Sequence, residues 1–417
     1  MLKNYFKIAF KVMLRNKLFT FISLFGICFT LLFLVLITSV IDQTFGPHYP
    51  EKKLGRTLSV TMGLIRSKEG GTSSGPLFSP YFFKKYVKTL KTPAKISMSS
   101  FHNPIQIYKD KKKIKLGIKY VDSEFWEILD FNFLEGKAFG RDEVDNITNV
   151  AVINQKIKDQ YFNGEAASGK YIEADGKNFR VIGVVENISI LRIMPYADIW
   201  VPLGHTSADL NKISIVYDQF PGWFAMLLAH NKKDFPKIKS EFQKHLENIE
   251  FPEGRYDWLL TNASTYQEAF ARQIFRKDDG NISPFMLVLY LLMTIFMILP
   301  AINLININVS RIIERSSEIG IRKSFGASSI TLIGQFMVEN IIITLIGGLI
   351  SLLLAAVILG IFNQTGLLPD THFALNFRIF LTSMCIALFF GFLSGVYPAL
   401  KMSKLQPAEI ISGVQNN

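Results

Sequence analysis

The spacing of four long uncharged runs is the feature that most constrains how this chain folds. The first run covers residues 18–41, and about 240 residues of mixed polarity separate it from three more runs at residues 282–310, 340–368 and 379–400. A helix needs about 20 consecutive apolar residues to cross the hydrocarbon core of a bilayer, and each run reaches that length. The pattern predicts a membrane protein with four transmembrane α-helices, arranged one plus three around a large inserted domain.

The composition fits membrane segments joined to a water-exposed domain. Hydrophobic residues make up 49% of the chain and Phe occurs 36 times, yet charged residues still account for 19%. A chain embedded entirely in lipid would carry fewer charges. The inserted stretch is therefore predicted to fold in water.

Basic residues flank the predicted spans on one side of the membrane. They are Lys3, Lys7, Lys11, Arg15 and Lys17 before the first span, Arg311, Arg315, Arg322 and Lys323 between the second and third, and Lys401 and Lys404 after the fourth. Loop 363–377 has Asp370 and neither Lys nor Arg. Because short cytoplasmic loops carry an excess of Lys and Arg, we expect a multi-pass protein of the cytoplasmic (inner) membrane with both termini in the cytoplasm.

This assignment divides the chain into nine segments. They are the cytoplasmic basic segment 1–17, transmembrane helix 1 at 18–41, an extracytoplasmic domain with its stalk at 42–281, transmembrane helix 2 at 282–310, a cytoplasmic loop at 311–329, transmembrane helix 3 at 330–362, an extracytoplasmic loop at 363–377, transmembrane helix 4 at 378–400 and a cytoplasmic tail at 401–417.

Two other readings of the charge and hydropathy fit less well. The first run exceeds a signal-peptide apolar region, and no small-residue cleavage site follows Ile41. The net charge of +12 could suggest nucleic acid. Much of that charge flanks the spans, however, so we expect contact with membrane lipid and none with nucleic acid.

The sequence contains only weak patterns for a metal site or a nucleotide-binding site. Cys28 and Cys385 both lie in predicted spans, the six histidines are dispersed, and no zinc-ligand spacing occurs, so we expect neither a metal nor a cofactor. Residues 164–170 read Gly-Glu-Ala-Ala-Ser-Gly-Lys, like the start of a phosphate-binding loop, but Tyr171 stands where Ser or Thr would hold magnesium. A helical pattern precedes this stretch and a strand pattern follows, so it reads as an ordinary turn.

The inserted domain has the pattern of a mixed α/β fold. Strands are predicted at 57–62, 105–108, 114–120, 149–153 and 179–185, helices at 80–90, 123–129, 155–162 and 235–248, a hairpin tip at 109–111 and a flexible loop at 69–75. Residues 263–277 form a polar helical stretch leading toward the second span. It is either a surface helix or a stalk that carries motion into the membrane.

The cytoplasmic loop carries the most specific pattern. Residues 311–328 intersperse both signs of charge, and Gly320 and Gly326 permit tight turns. Gln335 and Glu339 follow at i, i+4 on one helix face, and a carboxylate in lipid should lie near the interface or face another helix. From the residues alone, the loop is either a basic anchor that fixes topology or a docking segment.

Residues 318–328 (Glu-Ile-Gly-Ile-Arg-Lys-Ser-Phe-Gly-Ala-Ser), with Gln335 and Glu339, resemble the loop and penultimate span of MacB/FtsX-type ABC transporter permeases. Residues 395–410 resemble the end of the same module. Residues 150–154, 169–171 and 179–185 resemble the family's periplasmic core domain, so the resemblance spans nearly the whole chain.

The resemblance implies a permease that pairs with a second copy, identical or related, and binds a separate ABC ATPase that holds ATP and magnesium. The residues that correspond to the ATPase-coupling segment are Arg315, Glu318, Ile319, Gly320, Arg322, Lys323 and Gly326. It further implies that ATP hydrolysis moves the outer domain and so drives export or release of a substrate, with a periplasmic adaptor and an outer-membrane channel as further partners. No enzymatic constellation is visible in the chain itself.

Two relatives of this plan remain as alternatives. One is a lipoprotein-releasing permease, which shares four spans and a large outer domain. The other is a signalling permease that activates a cell-wall hydrolase and transports nothing.

Overall fold

The computed structural model describes residues 13–275, apart from 16, 110 and 218–221, and residues 329–389, apart from 369, 372, 376 and 379. It also describes residues 287, 288, 291, 292, 294, 295, 321 and 392. The chain divides into two compact units. The helical unit comprises Met1–Asp42, Met286–Leu367 and Phe373–Asn417, and the α/β unit comprises Gln43–Phe285 and Leu368–His372.

The described helices and strands are numbered in chain order. The helices are α1 (Lys17–Phe45), α2 (Pro80–Phe82, continued by a π-helical turn over Phe83–Val87), α3 (Ser123–Ile128), α4 (Arg141–Asp145), α5 (Gln155–Phe162), α6 (Phe235–Glu247), α7 (Tyr266–Phe275), α8 (Ser329–Thr365) and α9 (Phe380–Phe389). The strands are β1 (Thr57–Val60), β2 (Met62–Ser67), β3 (Thr72–Leu77), β4 (Lys95–Ser100), β5 (Asn103–Lys109), β6 (Lys112–Val121), β7 (Phe133–Gly136), β8 (Val150–Asn154), β9 (Tyr171–Ala174), β10 (Lys177–Val185), β11 (Ile199–Pro202), β12 (Trp223–Leu228) and β13 (Tyr256–Thr261).

The helical unit contains the two described helices that are long and apolar enough to cross a membrane, Thr20–Phe45 of α1 and Met337–Thr365 of α8. A shorter apolar helix, α9, follows. Predicted spans 1, 3 and 4 thus each contain helix, whereas the predicted span at 282–310 lies almost entirely outside the described residues.

Close packing holds these helices together. Ile27, Leu31 and Val35 of α1 form one buried cluster with Ile342 and Ile343 of α8, among others. A Cβ atom added at Gly347 of α8 would lie 2.9 Å from the Ile27 side chain. The glycine therefore permits a close approach of α8 to α1, as small residues do in membrane helix pairs.

A mixed, ten-stranded sheet forms the centre of the α/β unit as described. Its main path runs β1-β12-β4-β6-β11-β8-β10-β7, with β5 paired to β6 and β9 paired to β10. The β6–β11 and β8–β10 pairs are parallel, and the other pairs are antiparallel.

Both faces of this sheet are buried. Along β12, Trp223, Ala225 and Leu227 belong to one hydrophobic cluster, while Phe224 and Met226 belong to the other. Side chains alternate between the faces of a strand, so a strand covered on both sides reads as a continuous apolar run. Helices α2, α5 and α6 contribute to the first cluster and α3 to the second.

A second, smaller sheet is antiparallel and has the strand order β13-β2-β3. The strand predicted at 57–62 is in fact two strands, because the chain leaves the large sheet after Val60 and enters the small one at Met62. The loop predicted at 69–75 is also wrong in its second half. A turn with positive φ at Gly70 and Gly71 lets residues 72–77 return as β3 against β2.

The other predicted elements of the inserted domain are confirmed within a few residues. Hairpin tip 109–111 joins β5 and β6, with Lys109 opposite Lys112. Residues 164–170 form a turn between helix α5 and strand β9, in which Lys170 pairs with Glu165 at 2.6 Å. The stretch at 263–277 contains helix α7.

Candidate functional site

The residues assigned to ATPase coupling, Arg315, Glu318, Ile319, Gly320, Arg322, Lys323 and Gly326, all lie outside the described part of the chain. The two polar residues predicted inside the membrane both lie on α8. The side chain of Glu339 is buried, with 2% of its surface exposed, and Gln335 lies one turn earlier on the same helix.

A different site emerges in the α/β unit, built around residues 189–194, which we call the anchor segment. It connects β10 to β11 and reads Ser-Ile-Leu-Arg-Ile-Met. A local turn fixes it: the amide of Arg192 donates to the Ser189 carbonyl at 2.9 Å, and the amide of Tyr196 donates to the Arg192 carbonyl at 2.9 Å.

Arg192 is the central side chain of the anchor segment and is 1% exposed. Its Nη1 donates to Oε2 of Glu51 at 2.9 Å. Its Nη2 donates to the carbonyls of Gln43 and Gly46, each at 2.8 Å. One guanidinium therefore joins the loop after β10 to the end of helix α1 and to Glu51, which precedes β1.

The end of α1 explains why an arginine is suited to this position. The last carbonyls of a helix have no partner within the helix, and Gln43 lies in the last turn of α1. A cation near a helix C-terminus is also favoured by the aligned peptide dipoles. Arg192 supplies both the missing donors and the positive charge.

Lys119 of β6 is a second buried cation beside the anchor segment. It is fully buried, and its Nζ donates to the carbonyl of Ile193 at 3.3 Å and to that of Met194. It also lies 5.2 Å from the ring centre of Phe224. Burial lowers the pKa of Lys119 to about 7, while the nearby Glu51 carboxylate acts in the opposite direction.

Glu51 is the counter-charge of this cluster and is 5% exposed. Burial raises the pKa of Glu51, and the positive charges of Arg192 and Lys119 lower it. The carboxylate accepts a charge-assisted hydrogen bond from Arg192, the stronger class of hydrogen bond. Removing either cation would leave the buried Glu51 carboxylate with less compensating positive charge, and this would destabilise the fold.

Helix α7, the start of the predicted stalk, also contacts the anchor segment. The hydroxyl of Tyr266 donates to the Leu191 carbonyl at 3.3 Å, and burial raises the pKa of Tyr266 to about 12. The ring of Phe45 packs against Tyr266 and Phe270, with ring centres 5.7 and 5.1 Å apart. The end of α1 and the start of α7 are therefore held side by side.

The first turn of α7 is fixed by a reciprocal cap. The amide of Thr265 donates to Glu268 at 2.7 Å, and the amide of Glu268 donates to the Thr265 hydroxyl at 3.2 Å, which is a capping box. Lys239 of α6 pairs with the same Glu268 at 2.8 Å. Helix α7 thus begins in a defined direction instead of fraying from the fold.

A third connection reaches the anchor segment from the loop between predicted spans 3 and 4. The hydroxyls of Ser189 and Thr371 are hydrogen-bonded at 2.7 Å, and both side chains are buried. The anchor segment therefore bonds to Gln43, Tyr266 and Thr371. These residues belong to the three stretches by which the α/β unit continues into the rest of the chain.

Sequence reasoning did not find this site. Nothing in the sequence pattern marks Lys119 or Arg192 as buried residues. Lys119 follows an alternating strand pattern in which its position reads as solvent-exposed, and Arg192 stands alone in a loop. Their significance depends on partners more than 70 residues away in sequence, such as Glu51 and Ile193.

We expect Arg192→Met to lower the free energy of unfolding of the α/β unit by about 3–5 kcal/mol, because it strands a buried carboxylate. The matched control is Arg66→Met, since Arg66 pairs with Asp257 at the same 2.9 Å but with 52% and 38% of the two side chains exposed. The control should lose much less, because solvent-exposed ion pairs contribute little to stability. All four tryptophans lie in the α/β unit, so urea unfolding followed by tryptophan fluorescence reports on it in the full-length protein. Equal losses for the two variants would contradict the role of Arg192.

Lys119 should impose a pH dependence on stability. Its pKa in the fold, about 7, lies below the ordinary value of 10.5, so between these values the unfolded chain binds a proton that the folded chain does not. Stability from this group therefore rises with pH above about 7, by up to about 1.4 kcal/mol per pH unit. We expect the stability difference between wild type and Lys119→Met to shift toward wild type from pH 7 to pH 9 in the same assay. A constant difference would refute the assignment.

Comparison with known proteins identifies the protein family, because two family models match the sequence. The model of the MacB-like periplasmic core domain matches residues 20–244, more than half of the chain, and the model of the FtsX-like permease C-terminal region matches residues 290–407. The anchor segment lies inside the first match.

Individual relatives agree with these matches. The macrolide export ATP-binding/permease protein MacB of Mannheimia succiniciproducens is 22% identical over 96% of this chain and 60% of its own length. The uncharacterized ABC transporter permease YvrN of Bacillus subtilis is 20% identical over 98% of this chain and 99% of its own length. The crystal structure of the periplasmic region of MacB from Actinobacillus actinomycetemcomitans aligns with 54% of this chain and 96% of its own, at 14% identity and a TM-score of 0.35.

The first curated relatives are longer proteins, of which this chain spans between 42% and 60%. What the two matches cover in this chain is the core domain and the permease region that follows it. The chain therefore belongs to the family of MacB/FtsX-type ABC transporter permeases and carries a MacB-like periplasmic core domain.

Proposed function

We propose that this chain is the membrane subunit of a MacB-like ABC transporter, in which ATP hydrolysis by a separate ATPase subunit drives motion of the periplasmic α/β unit. That motion would export or release a substrate on the outer side of the membrane. The proposal includes a second permease copy, identical or related, and a periplasmic adaptor with an outer-membrane channel. Macrolide export is the activity named for one relative, and it supports export as the proposed class of activity without naming the substrate of this chain.

The observation that carries the proposal is the anchor segment. Its bonds all lie within the α/β unit, close to where the chain passes between that unit and the rest of the sequence. Arg192, Leu191 and Ser189 bond respectively to the end of α1, the start of α7 and the loop after α8. A displacement of any of the three connections is therefore transmitted to the loop that joins β10 and β11 in the central sheet.

The four-span topology forms part of the proposal. The Ser189–Thr371 hydrogen bond supports it, because loop 363–377 must then lie on the same side of the membrane as the α/β unit. Three apolar helices, α1, α8 and α9, occur where spans 1, 3 and 4 are predicted. With a second span at 282–310, the chain would cross four times and return its C-terminus to the cytoplasm.

Coupling to the ATPase is assigned to the cytoplasmic loop 311–329. Its proposed contact residues are Arg315, Glu318, Ile319, Gly320, Arg322, Lys323 and Gly326. ATP and magnesium would be bound by the ATPase subunit, and this chain would contribute no cofactor site. Among the described residues, no cluster of His, Cys, Asp and Glu has the geometry of a metal site.

The topology is testable with single cysteines in a background lacking Cys28 and Cys385. Cysteines replacing Lys111 and Lys232 should react with an impermeant thiol reagent in cells whose outer membrane has been permeabilised. Cysteines replacing Lys11 and Ser316 should react only after the inner membrane is opened. Labelling at position 316 without that step would exclude the proposed orientation.

Charge reversal in the loop tests the coupling assignment. The double variant Glu318→Lys, Arg322→Glu should lose co-purification of the ATPase or its stimulated ATP turnover in lipid nanodiscs, because truncating charged pairs at an interface costs roughly 2–5 kcal/mol. Lys111→Glu, Lys112→Glu in the α/β unit is the control and should retain both. If the loop variant recruits the ATPase and supports turnover like wild type, loop 311–329 serves only to fix topology.

A further inference from the structure

The tip of the β5–β6 hairpin presents an unusual concentration of positive charge. Five lysines fall within seven residues, and the whole hairpin, residues 103–121, contains one acidic residue, Asp110, and no arginine. The five are Lys109, Lys111, Lys112, Lys113 and Lys115, all exposed. None of them forms an ion pair with another described residue.

The strand register shows that these charges are not placed for stability. Lys109 lies directly opposite Lys112 across the two strands. Like charges in that arrangement destabilise a hairpin. Lys111 has a φ of +64°, in the left-handed region where glycine or asparagine costs less than lysine. Lys111 and at least one member of the Lys109–Lys112 pair therefore occupy positions at which a different residue would make the hairpin more stable.

One face of the hairpin carries further exposed polar side chains next to the tip lysines. Tyr108, 66% exposed, stands opposite Lys113, and Gln106 stands opposite Lys115. On the other face, Ile107 and Ile114 are buried, so the hairpin itself is fixed to the fold. Lys109 also lies 5.1 Å from the ring centre of Tyr161 in α5, a contact that orients the ammonium without neutralising it.

We propose that this tip binds a soluble, linear polymer that carries repeated phosphate groups. The residue types favour such a polymer over a folded acidic protein. Lysine is depleted and arginine enriched at protein–protein interfaces, whereas here every cationic residue is lysine. Lysine binds phosphate as a point charge, and five such charges on a convex tip suit a flexible chain of phosphates, which can bend to meet them.

A membrane surface is the other source of phosphate groups, and the described residues favour it less. Hairpins and helices that lie on bilayers insert several large apolar side chains, whereas the exposed aromatic ring of the described tip is that of Tyr108.

The test uses the full chain in nanodiscs of zwitterionic phosphatidylcholine, with long-chain inorganic polyphosphate as the probe. Wild type should bind it with a log–log salt dependence of about −3.5, since each of the five lysines that neutralises a charge on a single-stranded polyanion contributes about −0.7. The variant Lys111→Gly, Lys112→Glu should bind at least about tenfold more weakly at about 0.1 M salt. Its urea midpoint should stay unchanged or rise, because both changes relieve the strain described above.

The control Lys232→Glu, Lys233→Gln changes the net charge by the same amount on another exposed segment and should keep wild-type affinity. Equal weakening in the control would attribute binding to net charge and overturn the proposal. So would wild-type affinity in the tip variant, equal affinity for polyglutamate of the same length, or hairpin-dependent binding to phosphatidylglycerol vesicles without binding to polyphosphate. If the tip variant unfolds, Lys113→Gln, Lys115→Gln replaces it under the same criteria.

Discussion

The contact of the Arg192 guanidinium with Glu51 and the carbonyls of Gln43 and Gly46 is the interaction that fixes the chain where the α/β unit begins. The guanidinium donates hydrogen bonds to carbonyls at the end of α1, neutralises the buried Glu51 carboxylate and thereby fixes the loop after β10. No smaller or uncharged side chain supplies donors in these three directions. Since an unpaired buried charge is strongly destabilising, the end of α1 and the anchor segment are constrained to move together.

Periodic polarity predicted part of the fold, and the short apolar runs of β1 and β8, which are buried along their whole length, predicted two further strands. Strands β5 and β6 and helices α5 and α6 were found because polar and apolar residues recur in them with the period of a half-buried strand or helix. Strands β11 and β12 were not predicted. Their residues are all buried, since the sheet is covered on both faces, and a short apolar run has no period to recognise. Strand β3 was missed for the opposite reason: Thr-Ser-Ser-Gly has low strand propensity, and only pairing with β2 makes it a strand.

The candidate site could not be predicted for a related reason. Lysine and arginine on a chain with a net charge of +12 are most often solvated, so Lys119 and Arg192 read as surface residues. Only the fold places Lys119 beneath the Ile193 and Met194 carbonyls and places Arg192 at the end of α1. The lysines of the β5–β6 tip are the opposite case, because the sequence reveals their concentration and the structure adds only their arrangement. They are fully visible in the sequence, yet their meaning comes from the register, which sets Lys109 against Lys112.

The hydrogen bonds that join the anchor segment to the three stretches differ in strength. The guanidinium of Arg192 makes charge-assisted bonds in a buried setting, and leaving its partner Glu51 without a counter-charge costs about 3–5 kcal/mol. The bonds to Tyr266 and Thr371 join uncharged groups, and a bond of that kind is worth about 0.5–1.5 kcal/mol. Helix α7 is held in addition by the ring of Phe45 and by the pair of Lys239 with Glu268. Arg192 is therefore the residue of the anchor segment whose replacement should lower the stability of the α/β unit most.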